Sequence, residues 1–264
     1  MLVCIKGAGD LATGAAVRLH RAHFDIIMTD LPVPLSVRRT VAFSEAIVGG
    51  ETTVEGIRAK RVENSAEARE CLAQGIIPVA PDPEAAIFKD FEPEVLVDGI
   101  MAKKNTGTHI DDAPLVIAIG PGFTAGVDCD AVIETKRGHT LGRVITEGSA
   151  IPNTGVPGLI GGQTLNRLIK SPADGIFHPE KKIGELVKEG DRVANVDGTP
   201  VYAKTDGLIR GMLQDGVPVT RGLKSGDIDP RGNTIDYMTV SDKSLAIGGG
   251  VLEAIMVYAG DRLK

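Results

Sequence analysis

The chain has 264 residues, a formal net charge of −6, and 42% hydrophobic and 24% charged residues. This composition is typical of a globular protein with one large domain or two modest ones. The negative balance argues against general binding to nucleic acid, because phosphate binding needs a basic surface. No apolar run reaches the roughly 18 residues of a membrane helix, so we expect no membrane partner.

The cysteine content indicates a reducing compartment. The three cysteines show neither a C-x-x-C pair nor zinc-site spacing, and a sparse, odd count is typical of the cytoplasm. Met1 leads directly into a strand pattern, so we expect no targeting segment and a cytoplasmic location. The cysteines are Cys4, Cys71 and Cys129.

Strand and helix patterns alternate over the first half of the chain. Apolar residues at spacings of three and four predict a helix over 10–23, between strands at 2–6 and 24–29. Such alternation predicts a parallel α/β sheet with helices on both faces, a Rossmann-like domain that we place at 1–168. The further predicted strands are 51–62, 76–80, 95–98 and 115–119, and the further predicted helices are 65–74 and 83–90.

The pattern changes near residue 171 to short apolar pieces separated by Gly, Asp and Pro, which indicates an all-β region. Residues 173–193 and 204–219 share a repeat in which an Asp-Gly pair precedes two apolar residues. We predict a small all-β domain at 169–230 that resembles the barrel-sandwich hybrid of biotinyl and lipoyl domains. Its inter-half segment lacks a carrier lysine, so a scaffold or docking role is expected. Residues 231–264 are expected to end in a helix that packs back on the first domain.

A glycine-rich loop follows the first strand and opens the first helix. Gly7 permits a tight turn, Gly9 permits close approach of a pyrophosphate, and Gly14 permits close packing of the helix. We predict that Gly7, Gly9 and Thr13 hold phosphates at the helix start. Asp10 would repel phosphates, or instead cap the helix. The alternative is a glycine turn that only packs.

The second strand ends in Asp30, which lies 21 residues after Gly9. An acid at this place commonly accepts hydrogen bonds from a ribose 2′-hydroxyl, so Asp30 is a candidate ribose ligand.

A second glycine loop, with Gly120 and Gly122, follows the buried strand at 115–119. Cationic and amide side chains come after neighbouring strands, where they would close over an anionic ligand. The alternative is a solvated cluster of loop charges. The candidate ligands are Lys103, Asn105, Lys136 and Arg137.

His109 and His139 lack the fixed spacing of metal ligands, so we predict no metal site. Either histidine would be a proton donor if the chain were an NAD(P)-dependent oxidoreductase, which is the first alternative function. The sequence does not place either one near a cofactor.

Six segments together resemble the YqeB-type family of selenium-dependent molybdenum hydroxylase systems, and the first half is distantly similar to XdhC-type maturation factors. They are GAGDLATG (7–14), DGIMAKKNTGT (98–108), IGPGFTAGVDCDAVIETKRGHTLGRVI (119–145), PNTGVPG (152–158), GDIDPRG (226–232) and SDKSLAIGGGVLEAI (241–255).

The resemblance implies an accessory role in maturing such a hydroxylase, with the hydroxylase or its maturation factors as partner. The expected ligand is an anionic nucleotide-bearing cofactor, either NAD(P) or a molybdopterin dinucleotide. The second alternative function is a non-catalytic docking protein, and a homo-oligomer is compatible with either role.

Overall fold

The computed structural model of the chain describes residues 1–156 and 158–262. Pro157, in the PNTGVPG motif, and residues 263 and 264, in the C-terminal segment, lie outside the described residues. The chain divides into two compact units. The first comprises Met1–Pro34, Ala42–Asn153 and Val240–Lys264, and the second comprises Leu35–Val41 and Thr154–Thr239.

The first unit is built on a nine-stranded sheet. Its strands are β1 (Leu2–Lys6), β2 (Asp25–Thr29), β3 (Glu51–Val54), β4 (Ile57–Arg61), β5 (Ile77–Ala80), β6 (Val95–Asp98), β7 (Leu115–Ile119), β8 (Ala131–Ile133) and β9 (Val144–Ile145). They lie in the order β3-β4-β5-β2-β1-β6-β7-β8-β9. The strands from β4 to β8 in this order are parallel, and all of them except β4 consist mainly of buried apolar residues, as expected for strands covered on both faces.

Two of the helices in the first unit pack closely against each other at positions that carry small side chains or none. These helices are α1 (Asp10–Arg21), α2 (Glu45–Gly49), α3 (Ser65–Ala73) and α4 (Asp242–Arg262). A Cβ atom on Gly14 of α1 would lie 2.5 Å from the Cβ of Ser244, and one on Gly248 would lie 2.6 Å from the Gly14 carbonyl oxygen. The absence of side chains at these positions lets α1 and α4 cross closely.

The predicted Rossmann-like parallel sheet is wrong, because the sheet is mixed. β3 pairs with β4 and β8 pairs with β9 in antiparallel fashion, so both edges of the sheet run against its centre. At the first edge, Glu55 and Gly56 have φ of +48° and +81°, a pair of positive angles that closes a tight hairpin. Glutamate rarely adopts a positive φ, so the sequence gives this turn little signal.

The second unit contains two four-stranded sheets whose strand pairs are all antiparallel. One sheet has the order β10-β17-β15-β12 and the other β14-β13-β11-β16. The strands are β10 (Leu168–Lys170), β11 (Gly175–Pro179), β12 (Leu186–Val187), β13 (Arg192–Val196), β14 (Thr199–Tyr202), β15 (Gly207–Met212), β16 (Val217–Val219) and β17 (Lys224–Asp229).

The barrel-sandwich-like part of the fold prediction is also wrong. The unit consists of two antiparallel sheets and takes in a separate segment, Leu35–Val41, from far earlier in the chain. The Met212 N–H donates to the Val37 carbonyl oxygen at 2.7 Å, and Val37 packs against the core of this unit. A domain formed only by the internal repeat at 169–230 would lack this segment.

The predicted elements differ from the observed ones mainly at their ends. The helix predicted at 83–90 is a shorter 3-10 helix, Ala86–Asp90, and the C-terminal helix begins at Asp242. Across residues 1–156 and 158–262, no helix combines the length and the apolarity needed to cross a membrane.

Candidate functional site

Loops from several parallel strands meet at the carboxyl edge of the large sheet. The chain continues from β1 to β2 on one side of it in the sheet and later reaches β6 on the other side. In open α/β sheets such a switch of direction leaves a crevice that binds ligands. Here the loops that begin at Gly7 and Gly99 form this part of the sheet edge, which we call the candidate crevice, and they touch at these two glycines.

Glycines let these loops approach one another closely. Gly7 has φ of +89°, and a Cβ atom there would lie 2.8 Å from the carbonyl carbon of Gly99. Gly122 has φ of +110°, and a Cβ there would lie 2.6 Å from the Cα of Lys104. Gly120 is bordered by Met101 and Thr135, from the loops after β6 and β8. The predicted glycine loops and the predicted lysine segment therefore share one edge of the sheet.

Helix α1 starts in this crevice without a side-chain cap. Its N-cap residue is Gly9, so Asp10 is the first helical residue and is not the N-cap residue that we considered. The first N–H groups of a helix have no partners within the helix, and the helix dipole favours negative charge there. The helix start is therefore suited to an anion, although Asp10 contributes a negative charge close by.

Asp30 holds the first glycine loop in shape. Its Oδ2 accepts a hydrogen bond from the Ala8 N–H at 2.8 Å, and its Oδ1 accepts one from the Leu31 N–H at 2.7 Å. Burial raises the pKa of Asp30, against the lowering effect of these two bonds. Each oxygen of the Asp30 carboxylate can accept one more hydrogen bond. Contact with a ribose hydroxyl therefore stays a prediction.

Thr13 lies in the interior, in contrast to the phosphate contact predicted for it. Its side chain is fully buried, and its hydroxyl donates to the Ala8 carbonyl oxygen at 3.1 Å and accepts from the Phe43 N–H at 2.9 Å. We therefore leave Thr13 out of the candidate ligand contacts. Gly14 is likewise buried, against Ser244.

The loop after β6 presents two exposed lysines, Lys103 and Lys104. Met101 and Lys103 have φ of +63° and +64°, which are costly for residues with side chains. Asn105 fixes the turn that follows these residues, because its Oδ1 accepts from the Gly107 and Thr108 N–H groups at 2.9 and 2.8 Å. Its side chain thus organises the loop, and the lysines carry the positive charge.

A polar network that the sequence analysis missed lies beneath this loop. The buried Thr108 hydroxyl donates to Asp98 Oδ2 at 2.7 Å and accepts from Lys6 Nζ at 3.0 Å. Lys6 Nζ also pairs with Asp112 Oδ2 at 3.3 Å. Burial raises the pKa of Asp98, while the Thr108 bond, the Ile100 N–H and Lys6 lower it. Lys6 and Asp98 are direct partners in the β1–β6 pairing. Each is a charged residue at the end of a predicted apolar strand, and this position was the sequence signal from which the network could have been found.

Lys136 and Arg137 follow β8 with different surroundings. Lys136 is exposed, and its N–H donates to the buried Glu134 Oε1 at 2.7 Å. Arg137 forms a two-bond pair with Asp242 at the start of α4, with distances of 2.6 and 2.8 Å. A ligand that bound Arg137 would compete with Asp242, so Lys136 is the better placed of the two.

The histidine and cysteine side chains of the first unit give little support for metal binding or thiol catalysis. His109 and His139 are exposed, and the described residues contain no group of three His, Cys, Asp or Glu side chains placed to hold a metal ion. All three cysteines are buried. Burial, with Asp128 and Asp130 nearby, raises the pKa of Cys129 to about 12, so its thiolate is disfavoured.

The first unit thus combines a mixed α/β sheet with glycine-rich loops and exposed lysines at the carboxyl edge of its parallel strands. The chain is similar to "Uncharacterized protein YqeB" of Escherichia coli (strain K12), with 52% identity over 263 residues. The match covers 100% of this chain and 49% of that protein, so the chain spans about half the length of this curated relative. This similarity supports the YqeB-type family indicated by the sequence motifs. No family model matches the chain.

Similarity to solved structures is low. An aspartoacylase family protein from Mesorhizobium loti is 14% identical with a TM-score of 0.28, over 86% of this chain and 84% of that one. A succinylglutamate desuccinylase/aspartoacylase from Rhodobacter sphaeroides is 24% identical with a TM-score of 0.22, over 25% and 22% of the two chains. Neither score is high enough to carry an argument about this chain.

Proposed function

We propose that this chain binds an anionic, nucleotide-bearing cofactor and acts as an accessory protein in the maturation of a selenium-dependent molybdenum hydroxylase. The observation that carries the binding part is the convergence of loops at one sheet edge. The uncapped start of α1, at Gly9, follows β1, and the exposed Lys103 and Lys104 follow the neighbouring strand β6. Backbone N–H groups and ammonium groups are the donors that phosphates prefer.

The cofactor we propose is either NAD(P) or a molybdopterin dinucleotide. Both contain a pyrophosphate, and a pyrophosphate needs a close approach to backbone. Gly9 brings no side chain to the helix start, Gly7 packs against Gly99, and Asp30, which binds the Ala8 N–H, is the proposed acceptor for a ribose hydroxyl. The chain has a net charge of −6, so an anionic ligand would be attracted by a local group of positive charges and not by the protein as a whole. Such a local group suits a single small ligand.

The hydroxylase part of the proposal is supported by where the family motifs lie. Three of the six motifs form the crevice: residues 7–14 start α1, residues 98–108 carry the lysine loop, and residues 119–145 carry the second glycine loop. A resemblance concentrated at one binding edge favours a shared ligand. The buried, unpaired cysteines fit a role in the cytoplasm.

Calorimetric titration with NADPH, CDP and inorganic pyrophosphate tests the binding part. We expect the Lys103→Ala/Lys104→Ala double variant to bind about tenfold or more weakly, since bonds to charged groups contribute roughly 1.5–3 kcal/mol each. The matched control is Lys181→Ala/Lys182→Ala, which removes an adjacent lysine pair from the second unit. The binding part fails if none of the three ligands binds below millimolar concentration, or if both double variants bind as the wild type does.

Complementation tests the hydroxylase part. In cells lacking this chain, we expect hydroxylase activity to be restored by the wild type and by the Lys181/Lys182 control, but not by the Lys103/Lys104 variant. Restoration by all three would indicate a docking role that does not need the proposed ligand.

A further inference from the structure

A cleft of about 500 Å³ opens in the first unit at the carboxyl ends of β4 and β5. This volume lies within the range of sites that bind small molecules, roughly 300–1,000 Å³. The cleft is separate from the crevice between β1 and β6, and none of the residues predicted from the sequence as ligands lines it. Its lining includes Val62, Glu63, Ala80, Asp82, Ile87 and Asp90.

The walls of the cleft combine apolar surface with negative charge. Val62 and Ala80 are buried, and prolines and Ile87 add apolar area beside them. Three carboxylates line the same space, and no lysine or arginine is among its described lining residues. A planar apolar group with hydrogen-bond donors on its edge suits such walls, whereas a phosphate would be repelled.

Two of the carboxylates each use one oxygen to fix the local backbone or side chains. Asp82 Oδ2 accepts from the Ile87 N–H at 2.8 Å, and Asp90 Oδ2 accepts from the Ser65 hydroxyl. No donor within the described parts of the chain reaches the second oxygen, Oδ1, of either residue. Those two oxygens can accept hydrogen bonds from a ligand without breaking a bond within the protein.

The cleft adjoins the candidate ribose residue. The Asp30 N–H donates to the Ala80 carbonyl oxygen at 3.0 Å, and Ala80 is part of the cleft lining. β5 is the second strand from β1, so the cleft and the start of α1 are separated by two strand spacings, about 10 Å. A nucleotide with its ribose at Asp30 can therefore reach both places, with its base on one side and its phosphates on the other.

We propose that this cleft binds the base of the nucleotide and selects bases that carry an exocyclic amino group, such as cytosine or adenine. The inference rests on the proposed function, because it extends the same ligand from its phosphates to its base. An amino group donates to the carboxylates of Asp82 and Asp90. A keto oxygen at the same place would face carboxylate oxygens and be repelled, which disfavours uracil and hypoxanthine.

Calorimetry with two pairs of nucleotides tests the inference: CDP against UDP, and ADP against IDP. In each pair a keto oxygen in the second member replaces the amino group of the first, and the adjacent ring nitrogen gains a hydrogen. We expect the amino-bearing member to bind about tenfold or more tightly, the effect of one hydrogen bond to a charged acceptor. Asp82→Asn should shrink this ratio, because an amide offers both a donor and an acceptor. Glu84→Gln is the matched control, since Glu84 lies in the same segment outside the cleft lining.

Each outcome separates the inference from the proposed function. Discrimination within both pairs that Asp82→Asn reduces and Glu84→Gln preserves supports the inference. Equal binding within both pairs, or discrimination that is unchanged in Asp82→Asn, overturns the base-binding cleft while nucleotide binding itself stands. Absence of binding by all four nucleotides, by NADPH and by inorganic pyrophosphate overturns the proposed function, and the inference falls with it.

Discussion

The two units of this chain surround their buried carboxylates with different donors. In the first unit, Asp30 and Asp98 accept hydrogen bonds mainly from backbone N–H groups and one hydroxyl. In the second unit, Asp227 and Asp229 on β17 face the guanidinium groups of arginines. Burial raises the pKa of both Asp30 and Asp98, whereas bonds and charge from arginines outweigh burial and lower the pKa of Asp229.

This difference shows that burial alone does not decide how a carboxylate behaves. Neutral donors fix the position of Asp98 and its loop but compensate its charge only in part. In the second unit, arginines both fix the positions of Asp227 and Asp229 and compensate their negative charge. They do so inside a sheet, where the cost of an unpaired charge is large. The first arrangement fixes the loop after β6 with neutral donors, and the second places paired charges on a strand inside a sheet.

The largest effect is expected for Asp227→Ala. Asp227 is fully buried, and its carboxylate pairs with Arg167 at 2.5 Å and with Arg210 Nε at 2.7 Å. Its removal takes a counter-charge from two nearly buried guanidinium groups, of which Arg210 keeps a pair with Asp229 at 3.4 Å, and we expect it to cost about 3–5 kcal/mol of unfolding free energy. Urea unfolding measures the loss. Asp215→Ala is the control, because Asp215 is exposed and pairs only with His178, so it should change stability by less than about 1 kcal/mol.

A smaller effect is expected for Asp30→Ala in the first unit. The variant leaves the N–H of the buried Ala8 without its partner and loosens the first glycine loop, at a cost of about 2 kcal/mol. Asp25→Ala, an exposed change at the start of the same strand, is the control and should be nearly neutral. A loss for Asp30→Ala as large as that for Asp227→Ala would contradict the contrast between neutral and charged donors.

The sequence allowed a good prediction of the elements that form the candidate site. The pattern from Gly7 to Gly14 placed the start of α1 at residue 10, where the structure has it, because a glycine turn and apolar spacing are local signals. The same holds for β7 and the glycine loop after it. These local rules do not include the direction of neighbouring strands, which is why the antiparallel edges were missed.

The contacts between distant residues were beyond prediction from one sequence. Arg137 and Asp242 are 105 residues apart, and so nothing local indicated that the guanidinium group was already paired. Lys6 and Thr108 are 102 residues apart, and their bond depends on the pairing of β1 with β6. The inclusion of Leu35–Val41 in the second unit is a further contact of this kind.

Thr108→Val tests one of the neutral donors by itself, the Thr108 hydroxyl. Valine keeps the shape of threonine but removes the hydroxyl that joins Asp98 to Lys6, and we expect a loss of about 1 kcal/mol of unfolding free energy. Thr106→Val makes the same change at an exposed position of the same loop and should be neutral. Equal stability of the two variants would mean that the network does not help to hold the loop.

The smallest effects are expected in the dependence of stability on pH. The folded-state pKa of Asp98 lies above its unfolded value, so ionised Asp98 costs stability at neutral pH. That cost is relieved as the pH falls through the folded pKa towards the unfolded value of about 3.9. The wild type should therefore gain stability relative to Asp98→Asn between pH 7 and pH 4.

Asp229 should behave in the opposite way, because its folded-state pKa lies below the unfolded value of about 3.9. The stability that ionised Asp229 contributes is complete above that value and is lost as the pH falls through the folded pKa. The gap between the wild type and Asp229→Asn should stay constant from pH 7 to pH 5 and close below about pH 4. Urea unfolding of both variants at pH 7, 5, 4 and 3 measures the two trends, and parallel curves would show that the arginines do not set the difference between the two units.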